Sequence, residues 1–153
     1  KKIENRVNFF FQNANVIFNC FNCDCINISG FKKLNGNQIL SDDISFILND
    51  IKNKLIETEP KKTIIHLFNT QFLLDNKSIK NLPIGLHGNF YSHQLTFFLI
   101  NNNEFKNIMM LFNKCNLGLN KIILKSFPEG VELIKEKNYD TFIKINIYKK
   151  KFK

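Results

Sequence analysis

Ile44, Ile47, Leu48, Ile51 and Leu55 recur at intervals that bring them onto one stripe of an α-helix, and this stripe constrains the fold more than any other feature of the chain. Ser41 stands where an N-cap is needed. Asp42 and Asp43 place negative charge at the positive end of the helix dipole. Lys52 and Lys54 suit the closing turns, and Pro60 stops the helix. A helix apolar on one side only has to cover something, and the residues that follow supply it. Thr63 to Asp75 reads as a long strand, with Ile64, Phe68, Phe72 and Leu74 on one face and Ile65, Leu67 and Leu73 on the other. Asn69 and Gln71 interrupt the second face, which implies one side packed on the helix and one partly covered. A linker with Pro83, Gly85 and Gly88 then leads to a second strand, Asn89 to Ile100.

The flanks alternate strand and helix. Ile3, Val7, Phe10, Phe11, Ala14, Ile17, Phe18 and Phe21 recur at helical spacing and predict a buried amphipathic helix. Cys25 to Ser29 predicts a short strand ended by Gly30, and residues 31–40 an irregular segment with a turn at Asn35-Gly36. After a turn at Asn101 to Asn103, Phe105, Ile108, Met109 and Phe112 predict a helix closed near Asn116 and Gly118. Leu119 to Ser126 reads as a strand, Pro128 opens a short helix with Val131, Leu133 and Ile134, and Asp140 to Tyr148 reads as a last strand. The fold class is α/β with an α+β unit set inside it.

Charge carries less weight than its size suggests. The chain has 24 Asn, 21 Lys, 21 Ile and 17 Phe against one Arg and one Ala, a set of enrichments that A/T-rich codons explain together. The net charge of +9 is therefore weak evidence for a polyanion. A single Arg argues further against a phosphate-binding surface, because Arg supplies the bidentate fork such surfaces favour. Phe residues able to stack on bases and the lysines of 149–153 define a nucleic-acid reading. The reading preferred to it has Phe filling the core and a solvated tail, and no nucleic-acid partner is expected. At 153 residues and 44% hydrophobic content the chain builds one respectable core. No apolar run reaches the roughly 18 residues of a spanning helix. Beginning at Lys1-Lys2, the chain reads as a piece of a longer cytoplasmic protein.

Cys20, Cys23 and Cys25 include a C-x-x-C spacing that suits zinc or thiol exchange. A structural zinc site needs a fourth ligand and usually a second paired motif, and with Cys115 distant the cysteines are read as reduced, Cys25 as a small buried side chain. No metal site is expected.

Ile26 to Gly30, the run Ile39-Leu40-Ser41-Asp42-Asp43-Ile44, His66, Asp75, Pro83, Gly85, Gly88, and then Asn107, Cys115, Gly118 and Leu119 follow one another in a telling order. That succession resembles the inserted strand-helix-strand-strand subdomain of the bacterial cell-division protein FtsA, an actin-like adaptor, with flanking pieces of its actin-like domain. The family's Pro-Gln after the strand histidine is Asn69-Thr70-Gln71 here. The resemblance implies three parts: 1–30 as a flanking helix and strand, 31–101 as the inserted module, and 102–153 as the return into the actin-like subdomain. His66, Asp75, Pro83, Gly85 and Gly88 are read as structural; His66, His87 and His93 lack a nucleophile or carboxylate at a catalytic spacing, and the last two are read as surface residues.

Where the family continues into a second phosphate loop, this chain has Ile145-Asn146-Ile147-Tyr148-Lys149, without the glycines and the acidic residue, and the first phosphate loop is expected before residue 1. The expectation is a non-enzymatic chain with no cofactor of its own, ATP and Mg belonging to the complete parent family. The resemblance implies a protein-interaction module for contacts with FtsA-like protomers and for recruiting late division proteins such as FtsN. Asn89, Tyr91 and His93 are the expected display on its polar face. The membrane and the tubulin-like FtsZ are expected to engage other parts of the complete protein, at the inner face of the plasma membrane at the division site. An interaction module of another actin-like adaptor, such as a pilus-assembly protein, is the alternative.

Overall fold

A computed structural model describes residues 2–19 and 23–137. The chain divides into two compact units, Asn22–Gly118 and a second made of Lys1–Phe21 with Leu119–Lys153.

The larger unit is a four-stranded antiparallel sheet with a helix on one face. Its strands are β2 (Asp24–Lys33), β3 (Lys62–Leu74), β4 (Lys77–Ile79) and β5 (Phe90–Asn101), in the spatial order β2-β5-β3-β4. Helix α2 (Ser41–Thr58) buries Ile44, Ile47, Ile51 and Leu55. The same core holds Tyr91, Leu95, Phe97 and Leu99 of β5, together with Leu34, Ile39 and Leu74. The apolar stripe read from the sequence is thus the stripe that covers the two long strands. Each such side chain, fully buried, contributes about 1.5–3 kcal/mol. Helix α3 (Asn102–Lys114) follows β5 directly, its first amide turn capped by Asn101 through an Asn103 N–H bond of 2.8 Å.

The N-cap of α2 is Leu40, one residue before the expected Ser41. The Asp43 carboxylate reaches back and accepts from the Leu40 amide at 2.9 Å, the acidic half of a capping box. Lys32 of β2 bonds the other Asp43 oxygen at 2.5 Å, so the helix start is fastened to the sheet.

Gly30 does not end a strand. It lies inside β2, where a Cβ would stand 2.5 Å from Cγ2 of Ile47 and 2.7 Å from Cδ1 of Ile51, so its missing side chain is what lets α2 settle onto β2. The strand continues to Lys33, leaving a shorter irregular segment in which Asn35 and Gly36 both take positive φ as a turn requires.

β3 departs from strict alternation. Register shifts fall between Ile64 and His66 and between Asn69 and Gln71. Each extra residue reverses the facing of those that follow. Leu67 and Asn69 therefore stand opposite Phe97 and Leu95 on the helix side, while Phe68 stands opposite Thr96 on the other face, the reverse of the period-2 expectation. At the end of β3, Asp75 and Asn76, with φ of 49° and 65°, make the two-residue turn into β4, a short strand the sequence reading did not contain.

The smaller unit corrects the first expected helix. Helix α1 covers only Lys2–Val7 and stops at Asn8, which has φ of 53°. Asn13–Phe18 is strand β1, with Ala14, Val16 and Phe18 partly buried in strict alternation, and it pairs with β6 (Gly118–Leu124). Val16 falls outside the helical spacing and fits the alternation of the strand. Helix α4 (Ser126–Lys137) agrees with expectation, and the strand expected at Asp140 to Tyr148 lies outside the described residues, as does the phosphate-loop position.

Candidate functional site

The sheet of the larger unit has two unlike faces. Strand alternation in β5 sends Tyr91, His93, Leu95, Phe97 and Leu99 towards α2, all of them buried. Phe90, Ser92, Gln94, Thr96 and Phe98 take the other, outer face, beside Cys25, Asn27, Ser29, Phe31 and Lys33 of β2 by register.

Two of the three residues expected on a polar display face are therefore core residues. Tyr91 is 0% exposed and His93 1% exposed, and only Asn89 is at the surface. The hydroxyl of Tyr91 and Nδ1 of His93 have no hydrogen-bond partner among the described residues, while Nε2 of His93 lies 2.9 Å from Oδ1 of Asn69. Burial pushes the Tyr91 phenol up to about 12 and lowers the His93 imidazole below its ordinary value. The inward set was legible: Tyr91 and His93 share their parity with Leu95, Phe97 and Leu99.

The remaining motif residues have structural work. Asp75 accepts hydrogen bonds from the backbone amides of Asn89, at 2.9 Å, and Phe90, at 2.7 Å, so one carboxylate ties the β3 turn to the start of β5. Pro83 is buried, and Gly85 takes φ of 88°, closed to most residues. Gly88 is needed for space and not for its backbone angles. A Cβ there would collide with the Leu74 side chain. His66 is half-buried on the outer face, its ring 5.8 Å from that of Phe68, and burial lowers its pKa. His87 is exposed, with Nδ1 3.2 Å from the Gly36 carbonyl.

The outer face carries side chains that the sequence reading assigned to the core or left aside. Phe31 is 71% exposed and stacks on Phe90 with ring centroids 6.3 Å apart. Towards the other end Phe68 meets Phe98 edge-on at 5.9 Å. Between them runs a polar relay: Thr96 donates to Asn27 at 2.6 Å, which leaves Thr70 to donate to Thr96, also at 2.6 Å. Thus Phe fills the core only in part. Cys25 is exposed on this face instead of buried, Cys115 is exposed, and the Cys23 thiol lies 3.8 Å from the Asp24 carbonyl. Cys20 lies outside the described residues. Among the described residues no cluster of three His, Cys, Asp or Glu is placed to hold a metal ion.

Strand β2, helix α2, strand β3 and strand β5 give the order strand, helix, strand, strand, with β4 as a short addition. Residues 22–94 match the family model described as the SHS2 domain inserted in FTSA. This segment is an FtsA-type SHS2 domain. No curated protein matches the chain. The SHS2 match begins just before β2 and ends at residue 94 within β5, and the compact unit that contains it runs on through α3 to Gly118. Its first strand, which the sequence reading had placed in the flank, is the one α2 rests upon. The match makes residues 22–94 a cell-division-related module of the kind inserted in FtsA, with a mixed α and β architecture. No described helix is long and apolar enough to cross a membrane.

Proposed function

We propose that this chain is a docking module of an FtsA-like division adaptor, serving contacts with FtsA-like protomers and recruitment of late division proteins such as FtsN. The observation that carries the reading is the coincidence of the SHS2 match with an independently compact sheet-and-helix unit. The geometry supports docking over chemistry. The buried polar groups, His93 and Asp43, face the packed helix side, and the opposite face offers aromatic rings, neutral amides and hydroxyls, with Lys33 at one end. Such a surface suits protein contact. Nucleotide chemistry with ATP and Mg would belong to other parts of a complete adaptor, and the chain is read as non-enzymatic. Its place is the division site at the inner face of the plasma membrane, reached through those other parts.

The test is a capture assay with the full chain immobilised, offered the cytoplasmic segment of FtsN and an FtsA-like protomer from the same cell. Retention of either supports the reading. Failure to retain both, with the chain folded by circular dichroism, overturns it.

A further inference from the structure

The two long borders of the SHS2 sheet are not treated alike. Strand β3, whose outer border is covered only by the three-residue β4, carries two register shifts against β5, irregularities that twist a strand and spoil its use as a template for another. The β2 border has no such protection. Its ten residues pair with β5 in unbroken register from Asp24 to Lys33, with no proline, and no other described strand pairs with β2. A regular edge of that length offers a row of backbone N–H and C=O groups to any chain of matching shape.

The side chains around this edge supply the rest. Phe31, 71% exposed, projects from the outer face of β2. On the helix side, Ile47 and Ile51 sit over Gly30 and Leu48 packs inward against the core, so Phe46 occupies the flank of α2 opposite Leu48. It is 62% exposed, and Lys32 of β2 holds its ammonium 5.7 Å from the ring centre. One exposed phenylalanine thus stands on each side of the strand whose outer border no described strand pairs with. The charges within reach are already largely matched: Asp24 pairs with Lys62 at 3.0 Å and Lys32 with Asp43. Lys33 closes the outer face at one end, on a chain of net charge +9.

We propose that the β2 edge receives an extended segment of a protein partner as a fifth strand, the segment alternating apolar residues with Thr-like ones and ending in acidic residues beside Lys33. Its apolar side chains slide beneath Phe46 and beside Ile26 and Ile28, while the alternate ones meet Asn27, Ser29 and Phe31. Backbone pairing supplies affinity and the two rings supply register. This gives the docking reading a site and a partner chemistry, and rests on that reading for the partner's identity.

The probe is a fluorescent decapeptide of alternating valine and threonine closed by two aspartates, titrated against the full chain, with a version carrying central prolines as its control. Saturable binding of the first peptide alone is expected, with amide signals of Asp24 to Lys33 gaining protection from exchange. Phe31→Lys and Phe46→Lys are each expected to weaken binding about tenfold or more, while Leu111→Lys, at an exposed position of α3, leaves it unchanged. Equal binding of the proline peptide, protection confined to β3, absence of binding at millimolar peptide, or a β2 edge occupied by a second copy of the chain would overturn the proposal. Capture of a division protein that is indifferent to Phe31→Lys and Phe46→Lys removes the edge proposal and leaves the docking reading standing. Peptide binding at β2 without capture of any division protein does the reverse.

Discussion

The carboxylate of Asp75 lies 2.7 Å from the backbone nitrogen of Phe90, and the Asp75 amide in turn donates to the Phe90 carbonyl at 2.8 Å. One residue at the start of a turn therefore closes both backbone groups of Phe90, the first residue of β5. Asp75→Ala is expected to lose about 1.5–3 kcal/mol of stability, the range for hydrogen bonds to a charged group. Asp75→Asn, which tolerates the positive φ and keeps one acceptor oxygen, loses less. Urea unfolding of the two variants checks the order, and equal losses would show that the turn conformation matters more than the carboxylate.

Gly30→Ala places a methyl group inside contact distance of Ile47 and Ile51. The expected cost is about 1–3 kcal/mol, as for an overfilled core. Ile47→Val in the same chain should recover part of it, because it removes bulk where the clash is worst. A double-mutant cycle with no coupling would show that α2 does not bear on Gly30.

Acidification should weaken the fold below about pH 6.5, the ordinary histidine value. His66 and His93 both have lowered folded-state pKa values because burial disfavours the cation. Above 6.5 neither state binds the proton. Below it the unfolded chain protonates first, so unfolding gains free energy until the folded-state values are also passed. Stability measured in urea at pH 7.5, 6.5 and 5.5 is expected to fall in that order, and His93→Leu to flatten the slope. A curve that rises towards pH 5.5 contradicts the burial of these rings.

Asp43 gives a second, lower window. The Leu40 amide and then Lys32 hold its carboxyl below the ordinary value of 3.8. Its contribution is complete above 3.8 and disappears as pH drops through the depressed value. Asp43→Ala should cost about 1 kcal/mol near neutrality, typical of a lost helix-start interaction, and abolish this acid-dependent part. Thermal melts between pH 5 and 2.5 measure it.

Tyr91→Phe should be neutral or stabilising, since it removes a buried hydroxyl with no protein partner among the described residues and keeps the ring. A marked loss would reveal a bound water satisfying that oxygen.

The parts of this fold legible in the sequence were those where one period governs alone. Ile44 to Leu55 kept a helical period for three turns, and Phe105 to Phe112 for two, and both formed where expected. The first helix failed because Phe9 to Phe11 and Ala14 to Phe18 contain enough apolar residues to fit either period, and only Asn8 with its positive φ marks the break. Gly30 misled because glycine signals a strand end and a close helix approach equally well. Of the candidate site, Asn89 lies at the surface. Tyr91 and His93 do not, and Phe31, Phe68 and Phe90 emerged only once the β5 register and the irregularities of β3 were fixed.

Those irregularities have a wider bearing. The run from Lys62 to Leu74 spans the same distance as the run from Asn101 back to Tyr91, which is two residues shorter. A related chain that lacks just one of the two surplus residues would turn its intervening side chains inside out without any change in their identity. Roles for His66, Leu67, Phe68 and Asn69 carry over between such chains only after the surplus residues have been counted.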